Sequence, residues 1–316
     1  YYFPRDVIVP SGLILVIRPG ANLFFAKSAS LISYSPIIAE GSATPIRFLP
    51  ADGRNNWGVM AISVAGAKES VFNNAVFSGG SSSRQINGVI YTGMLSAHYS
   101  AVKVSHSTFI RDIDDDAFNI KYGSGVLTDS YFADNNGDAV DIDESPDFLV
   151  SSNRFASNGH GLVPGHATKG DAIDVSYNNS LIENNIITSC GDKGISIGEA
   201  SKPRAVGNII IGCDYGIAVK DNSEAYLENN KILNNRVGLG LYQKKIEFGG
   251  GKLTAEKMVL WGNKVEFEKD DKSSYVIKDS TVEGGAETGI NITTNKPDFR
   301  LILPASILNS VSDLLK

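Results

Sequence analysis

From residue 117 onward, a small residue is followed again and again by two apolar residues spaced by two. The segments read "DAFNIK" at Ala117, "DAVDID" at Ala139, "DAIDVS" at Ala172, "KGISIG" at Gly194, "YGIAVK" at Gly216 and "VGLGLY" at Gly238. The steps are 22, 33, 22, 22 and 22 residues. The apolar pairs are Phe118/Ile120, Val140/Ile142, Ile173/Val175, Ile195/Ile197, Ile217/Val219 and Leu239/Leu241. Alternation of this kind predicts strands, with each pair facing a core and the residues between them facing out. The 33-residue step holds an extra segment, "NGHGLVPGHATKG", residues 158–170. A second column keeps the same beat: Asn74, Ser107, Ser130, Asn153, Asn185, Asn208, Asn230, Asn263 and Ser280 each precede a short hydrophobic segment. Two columns in step are the mark of an internal repeat.

A period near 22 is too short for helical solenoids, and the leucine-rich pattern is absent. The texture resembles a right-handed parallel β-helix over roughly residues 10–300. The resemblance implies an all-β solenoid whose coils stack about 4.8 Å apart, with Asn153 to Asn230 bonded from coil to coil. The expected organisation is one β-helix domain, residues 1–303, and a short C-terminal capping helix, residues 304–316. In that helix Ile307, Leu308, Val311, Leu314 and Leu315 share one face, with Pro304 near its start. The "QKKIEFGGGK" stretch, residues 243–252, reads as a flexible excursion between coils; it lacks the Lys-Ser/Thr of a phosphate loop.

At 316 residues the chain is long for one globular core, but a repeat protein escapes that limit because each coil buries its neighbours. A net charge of −6 argues against a nucleic-acid partner, and no apolar run reaches the length of a membrane-spanning helix. The opening "YYFPRD", with no initiator Met or signal peptide, reads as a mature or excised form. Cys190 and Cys213 belong to no CxxC pair, which argues against zinc and leaves their oxidation state open.

The outward slots gather acid. One column holds Asp116, Asp138, Asp171 and Lys193; the next, Asn119, Asp141, Asp174 and Ser196; the third, Lys121, Asp143, Ser176, Gly198 and Lys220. Neighbours in a column lie about 5 Å apart, or about 10 Å if the extra segment adds a coil. Asp before a strand is also ordinary turn chemistry, which is one of two readings for Asp116, Asp138 and Asp171. Asp141, Asp143 and Asp174 lie within strands, where Asp is disfavoured and stacked like charges repel. Their repulsion is met by a cation, by lysine or by a shared proton. A calcium ion held by Asp116, Asp141, Asp143 and Asp174 is one expectation. The other is acid–base catalysis by Asp138, Asp141, Asp171 and Asp174, with Lys193 and His160.

These segments resemble the pectin-lyase-like superfamily of polysaccharide lyases, hydrolases and epimerases. Asp116, Asp138 and Asp171 occupy slots similar to the acidic motifs of its polygalacturonases. Lys193 stands where that family has His, and Ala218 where it has Arg; the "GHG" at 159–161 falls outside the strand slot. The polygalacturonase mechanism is therefore not transferred. "GDKGISIGEAS" and "GIAVKDNSEAYLENN" also resemble β-helix repeat proteins of bacterial surfaces, which implies an extracellular, cell-surface or periplasmic location. Two functions follow as expectations. One is binding or processing of a polysaccharide or oligosaccharide at the acidic face, with Tyr177, Tyr215 and Tyr242 free to stack on sugar rings. The other is a non-catalytic structural or binding module, calcium-stabilised, that self-associates or attaches to a larger surface protein.

Overall fold

The computed structural model describes residues 1–53, 55–63, 68–80, 84–161 and 169–313. Each coil places one strand in each of three parallel sheets of 11, 12 and 12 strands. Sheet I contains Asp116–Lys121, Asp138–Asp143, Ile173–Ser176, Lys193–Gly198, Tyr215–Lys220 and Val237–Tyr242. Sheet II runs from Leu15–Ile17 to Gly289–Ile290, and sheet III from Tyr2–Phe3 to Thr281–Val282. The alternation places the side chains as expected. Phe118, Val140, Ile173, Ile195, Ile217 and Leu239 stand in register and are buried. Inside sheet III, Phe48, Phe77, Phe109, Phe132 and Phe155 stack at 4.6, 4.7, 4.6 and 5.1 Å between ring centroids, close to the strand spacing.

The 33-residue step adds no coil. Asp138–Asp143 pairs directly with Ile173–Ser176, so Asp141 and Asp174 are adjacent and the shorter of the two expected spacings holds. Residues 162–168 of the extra segment, His166 among them, lie outside the described residues.

The turn between sheets II and III carries the asparagine ladder. Each of Asn153, Asn185 and Asn208 donates its backbone N–H and its side-chain Nδ2 to the Oδ1 of the next asparagine, at 2.9–3.1 Å. Two members were misassigned from the sequence. Ala75, not Asn74, meets Ser107 Oγ, because Asn74 takes a left-handed turn conformation. Met258, not Asn263, stands between Asn230 and Ser280. Asn263 belongs to a second ladder at the turn from sheet III to sheet I, with Asn135, Asn158 and Asn235. Cys190 and Cys213 occupy the two intervening slots of that ladder and are joined by a disulfide.

The glycine stretch is not a loose excursion. A Cβ at Gly251 would lie 2.1 Å from Val219 O, and one at Gly250 would lie 2.4 Å from Ser273 Oγ. Glycine is needed there because adjoining coils press against the backbone. The short C-terminal helix is present as Phe299–Ile302 followed by a 3₁₀ turn, Ala305–Val311. Phe299, Leu303, Ile307 and Val311 bury against Ile209, Ile211, Leu233 and Trp261 on the outer side of sheet III. Its cover is therefore lateral, over the flank of the last coils, because that flank presents an outward apolar column. At the end of the core, Ala286 and Ile292 pack from the returning chain. Leu314 and Leu315 lie outside the described residues. Among the described residues, no helix is long and apolar enough to cross a membrane.

One insertion bears on the site. An antiparallel hairpin, Arg84–Ile86 with Val89–Tyr91, folds over the outer side of sheet I, where Tyr91 buries against Val59 and Ala61.

Candidate acid–base site

The acidic columns stand in register across the outer side of sheet I. Asp116 pairs with Asp138, Asn119 with Asp141, Asp141 with Asp174, and Lys121 with Asp143. In the half nearer the hairpin the carboxyls have neutral partners. Thr92 Oγ1 donates to Asp116 Oδ2 at 2.5 Å. Asp138 Oδ1 accepts from the Asp171 backbone N–H at 2.6 Å. Asp141 Oδ2 accepts from Asn119 Nδ2 at 3.0 Å, and Asn119 Oδ1 lies 2.9 Å from His98 Nε2. Burial, and then the neighbouring carboxylates, push Asp116, Asp138 and Asp141 well above the usual carboxylate range. Burial lowers His98, which sits neutral beside the Tyr91 ring at 4.6 Å.

In the other half, lysines answer the charge. Asp171 Oδ1 accepts from the Lys193 backbone N–H at 2.8 Å and lies 3.4 Å from Lys193 Nζ, which also meets Asp192. Burial raises Asp171, but Lys193 offsets it, leaving the group at about 6. Burial opposes the Lys193 charge, yet Asp171 and Asp192 raise its pKa on balance. Lys220 Nζ approaches Asp174 Oδ1 at 4.0 Å from two strands away. It passes Gly198, where a Cβ would stand 2.9 Å from Lys220 Cε. Among the described residues, Asp174 Oδ1 and the buried Ser196 Oγ have no hydrogen-bond partner. Lys121 holds Asp143 at 3.2 Å.

The four residues expected to share a calcium ion are thus divided among different partners: Asp116 with Thr92, Asp141 with Asn119, Asp143 with Lys121 and Asp174 with Lys220. A different trio, Asp138, Asp171 and Asp174, offers one oxygen each within 4.8 Å of one another. Three carboxylate oxygens are half or less of the six to eight that calcium takes. The buried ammonium groups of Lys193 and Lys220 already stand beside two of them. The residues fit lysine-neutralised carboxylates better than a calcium ion.

His160 lies at the turn after sheet III, with Nε2 2.8 Å from Ser189 O; among the described residues, no hydrogen bond joins it to the acidic columns. Tyr215 donates to Glu268 at 2.7 Å beneath Arg236, and Tyr242 is half-buried near Lys193 and raised by burial to about 12. Of the three tyrosines, Tyr177 is the most exposed. His98, Ser96 and Gly93 were missed by sequence reasoning. They extend the three columns by one strand, 23 residues before Lys121, Asn119 and Asp116, and one more step of the repeat finds them.

Comparison with known proteins agrees with this architecture. The family model described as "Right handed beta helix region" matches residues 100–301. Two variant structures of a periplasmic alginate epimerase superpose on the chain. One has a TM-score of 0.59 at 11% identity, covering 91% of this chain and 76% of that one. The other has 0.55 at 13%, covering 86% and 77%. No curated protein matches. At such identities the likeness is one of fold. With coils, ladders and family model in agreement, the chain belongs to the right-handed β-helix family and has the pectin-lyase-like fold.

Proposed function

We propose that this protein processes an acidic polysaccharide by proton transfer at the outer side of sheet I. The observation behind the reading is a split between neighbours. Burial raises both Asp138 and Asp171, but the ammonium of Lys193 stands 3.4 Å from Asp171 and offsets its rise, leaving it at about 6. Adjacent carboxyls driven apart in this way make an acid and a base. The columns are also less anionic than their composition suggests. Three aspartates are driven towards the protonated form, and Asp143, Asp171 and Asp174 each have a lysine. A sugar carboxylate can approach such a face without a metal.

In this reading Asp171 or Asp174 removes the proton beside the sugar carboxylate. Lys220 and Lys193 steady the charge that develops, and Asp138 or Asp141 returns a proton. Return to carbon on the opposite face is epimerisation. Return to the leaving glycosidic oxygen is elimination. The fold shared with an alginate epimerase supports the substrate class. The Cys190–Cys213 disulfide supports an oxidising compartment, periplasmic or extracellular.

The test incubates acidic polysaccharides in deuterated water. Lyase action is read by unsaturated uronate absorbance and epimerase action by deuterium uptake at the inverted carbon. Wild type is expected to turn over one of them, with Asp138→Asn and Asp171→Asn losing a factor of roughly 10²–10⁴. Equal turnover by the variants refutes the assignment. The Asp138–Asp171–Asp174 trio falls short of a full calcium shell, but its three converging oxygens carry a second reading, a non-catalytic calcium-stabilised module. That reading predicts no turnover and a melting temperature that climbs with calcium.

A further inference from the structure

Sheet II carries a groove of about 520 Å³ on its outer side, lined by Lys202, Arg204, Glu224, Tyr226, Lys252 and Thr254 among others. Arg204, Tyr226 and Thr254 are in register on three successive strands, with Glu224 and Lys252 in the column beside them. Three cations face one carboxylate, so the lining has an excess of two positive charges. Sheet I shows the reverse, with acids outnumbering lysines. We propose that this groove binds an acidic oligosaccharide through its carboxylates, as a second binding site away from the acidic columns.

The geometry favours a planar anion. Arg204 lies over the Tyr226 ring, 5.2 Å from its centroid, and Tyr226 is fixed by donating to Glu256 at 2.7 Å. Stacking holds the guanidinium plane in place, so less side-chain freedom is lost when a carboxylate docks on its fork. The charge of Arg204 is weakly committed. Its nearest carboxylate, Glu228, stands 3.9 Å away and takes a 2.8 Å bond from Lys257 instead. Glu224 bridges Lys202 at 3.6 Å and Lys252 at 3.3 Å, all three well exposed. Exposed pairs of this kind are worth little, so an incoming carboxylate can take the place of Glu224.

The proposal shares only its ligand class with the proposed function, and its test needs no turnover. Binding of a hexameric oligouronate is measured by calorimetry in an Asp138→Asn/Asp171→Asn background, which removes the acid and base of sheet I. Arg204→Ala and Lys252→Ala are each expected to weaken binding roughly tenfold. Glu224→Gln is expected to tighten it, because the competing carboxylate is gone. A neutral hexasaccharide is expected not to bind. The idea fails if the oligouronate does not bind, or if the Arg204 and Lys252 variants bind as the parent does. It fails equally if poly-glutamate binds as tightly, since the groove would then read charge and not sugar. Circular dichroism of each variant shows that the coils are intact.

Discussion

The two halves of the acidic face use one residue type in opposite ways. Asp116, Asp138 and Asp141 look onto hydroxyl, amide and backbone N–H groups, and burial drives them to keep their protons. Asp171 and Asp174, one strand further on, look onto Lys193 and Lys220. What separates the two halves is the cation in the adjoining coil, since the strands themselves are alike.

Removing that cation is the harshest way to break the contrast. Lys193 and Asp171 are only 6% and 7% exposed in their side chains, so Lys193→Met strands a buried carboxylate. It is expected to cost about 3–5 kcal/mol in denaturant unfolding, with Lys193→Met/Asp171→Asn recovering most of the loss. Asp141→Asn is expected to shift stability by less than about 1 kcal/mol at pH 7, because burial already disfavours the charge that the amide removes and the amide oxygen can keep the bond from Asn119. Equal losses from Lys193→Met and Asp141→Asn would erase the distinction.

Titration sharpens it with a smaller effect. The pKa of Asp171 rises from an ordinary 3.8 to about 6 on folding. The folded chain therefore binds the proton more tightly, and stability from this group is full below about 3.8 and is lost as the pH rises to about 6. Wild type should lose melting temperature over that window relative to Asp171→Asn and run parallel to it above. The opposite slope would mean that Lys193 lowers the group below its free value. The mildest probe is Gly198→Ala. The nearest atoms to its Cβ belong to the flexible Lys220 side chain, so stability should move by well under about 1 kcal/mol. The ammonium should nonetheless leave Asp174, shifting the pH profile of turnover.

The solenoid was legible because coil stacking repeats a local pattern: alternation, a small residue and a turn asparagine recur together. Neighbours within a column were legible for the same reason, down to Asp116 beside Asp138 and Asn119 beside Asp141. What lay hidden involves long side chains that skip a strand and insertions that fold back. The reach of Lys220 to Asp174 depends on the missing side chain at Gly198, which no single repeat reveals. The hairpin that brings Tyr91 against His98 lies outside the repeat, so the burial that keeps this end of the face dry left no periodic trace. The ladder assignment failed at Asn263 because two turns of each coil use asparagine and the residue type alone does not say which, and at Asn74 because the neighbouring position of the same turn also takes asparagine, in a left-handed conformation.

The disulfide gives one coil a different topology from the rest. In most of the solenoid, neighbouring coils are held by hydrogen bonds and packing, so unwinding can advance one turn at a time. Residues 190–213 form a closed covalent ring, and Lys193 and Ser196 lie on it. An unwinding front that enters from the C-terminal end can strip Lys220 from Asp174, yet it meets a hoop at Lys193 that it cannot open. In a reducing environment the hoop is cut, and the lysine-paired half of the face loses a fastening that does not depend on its neighbours.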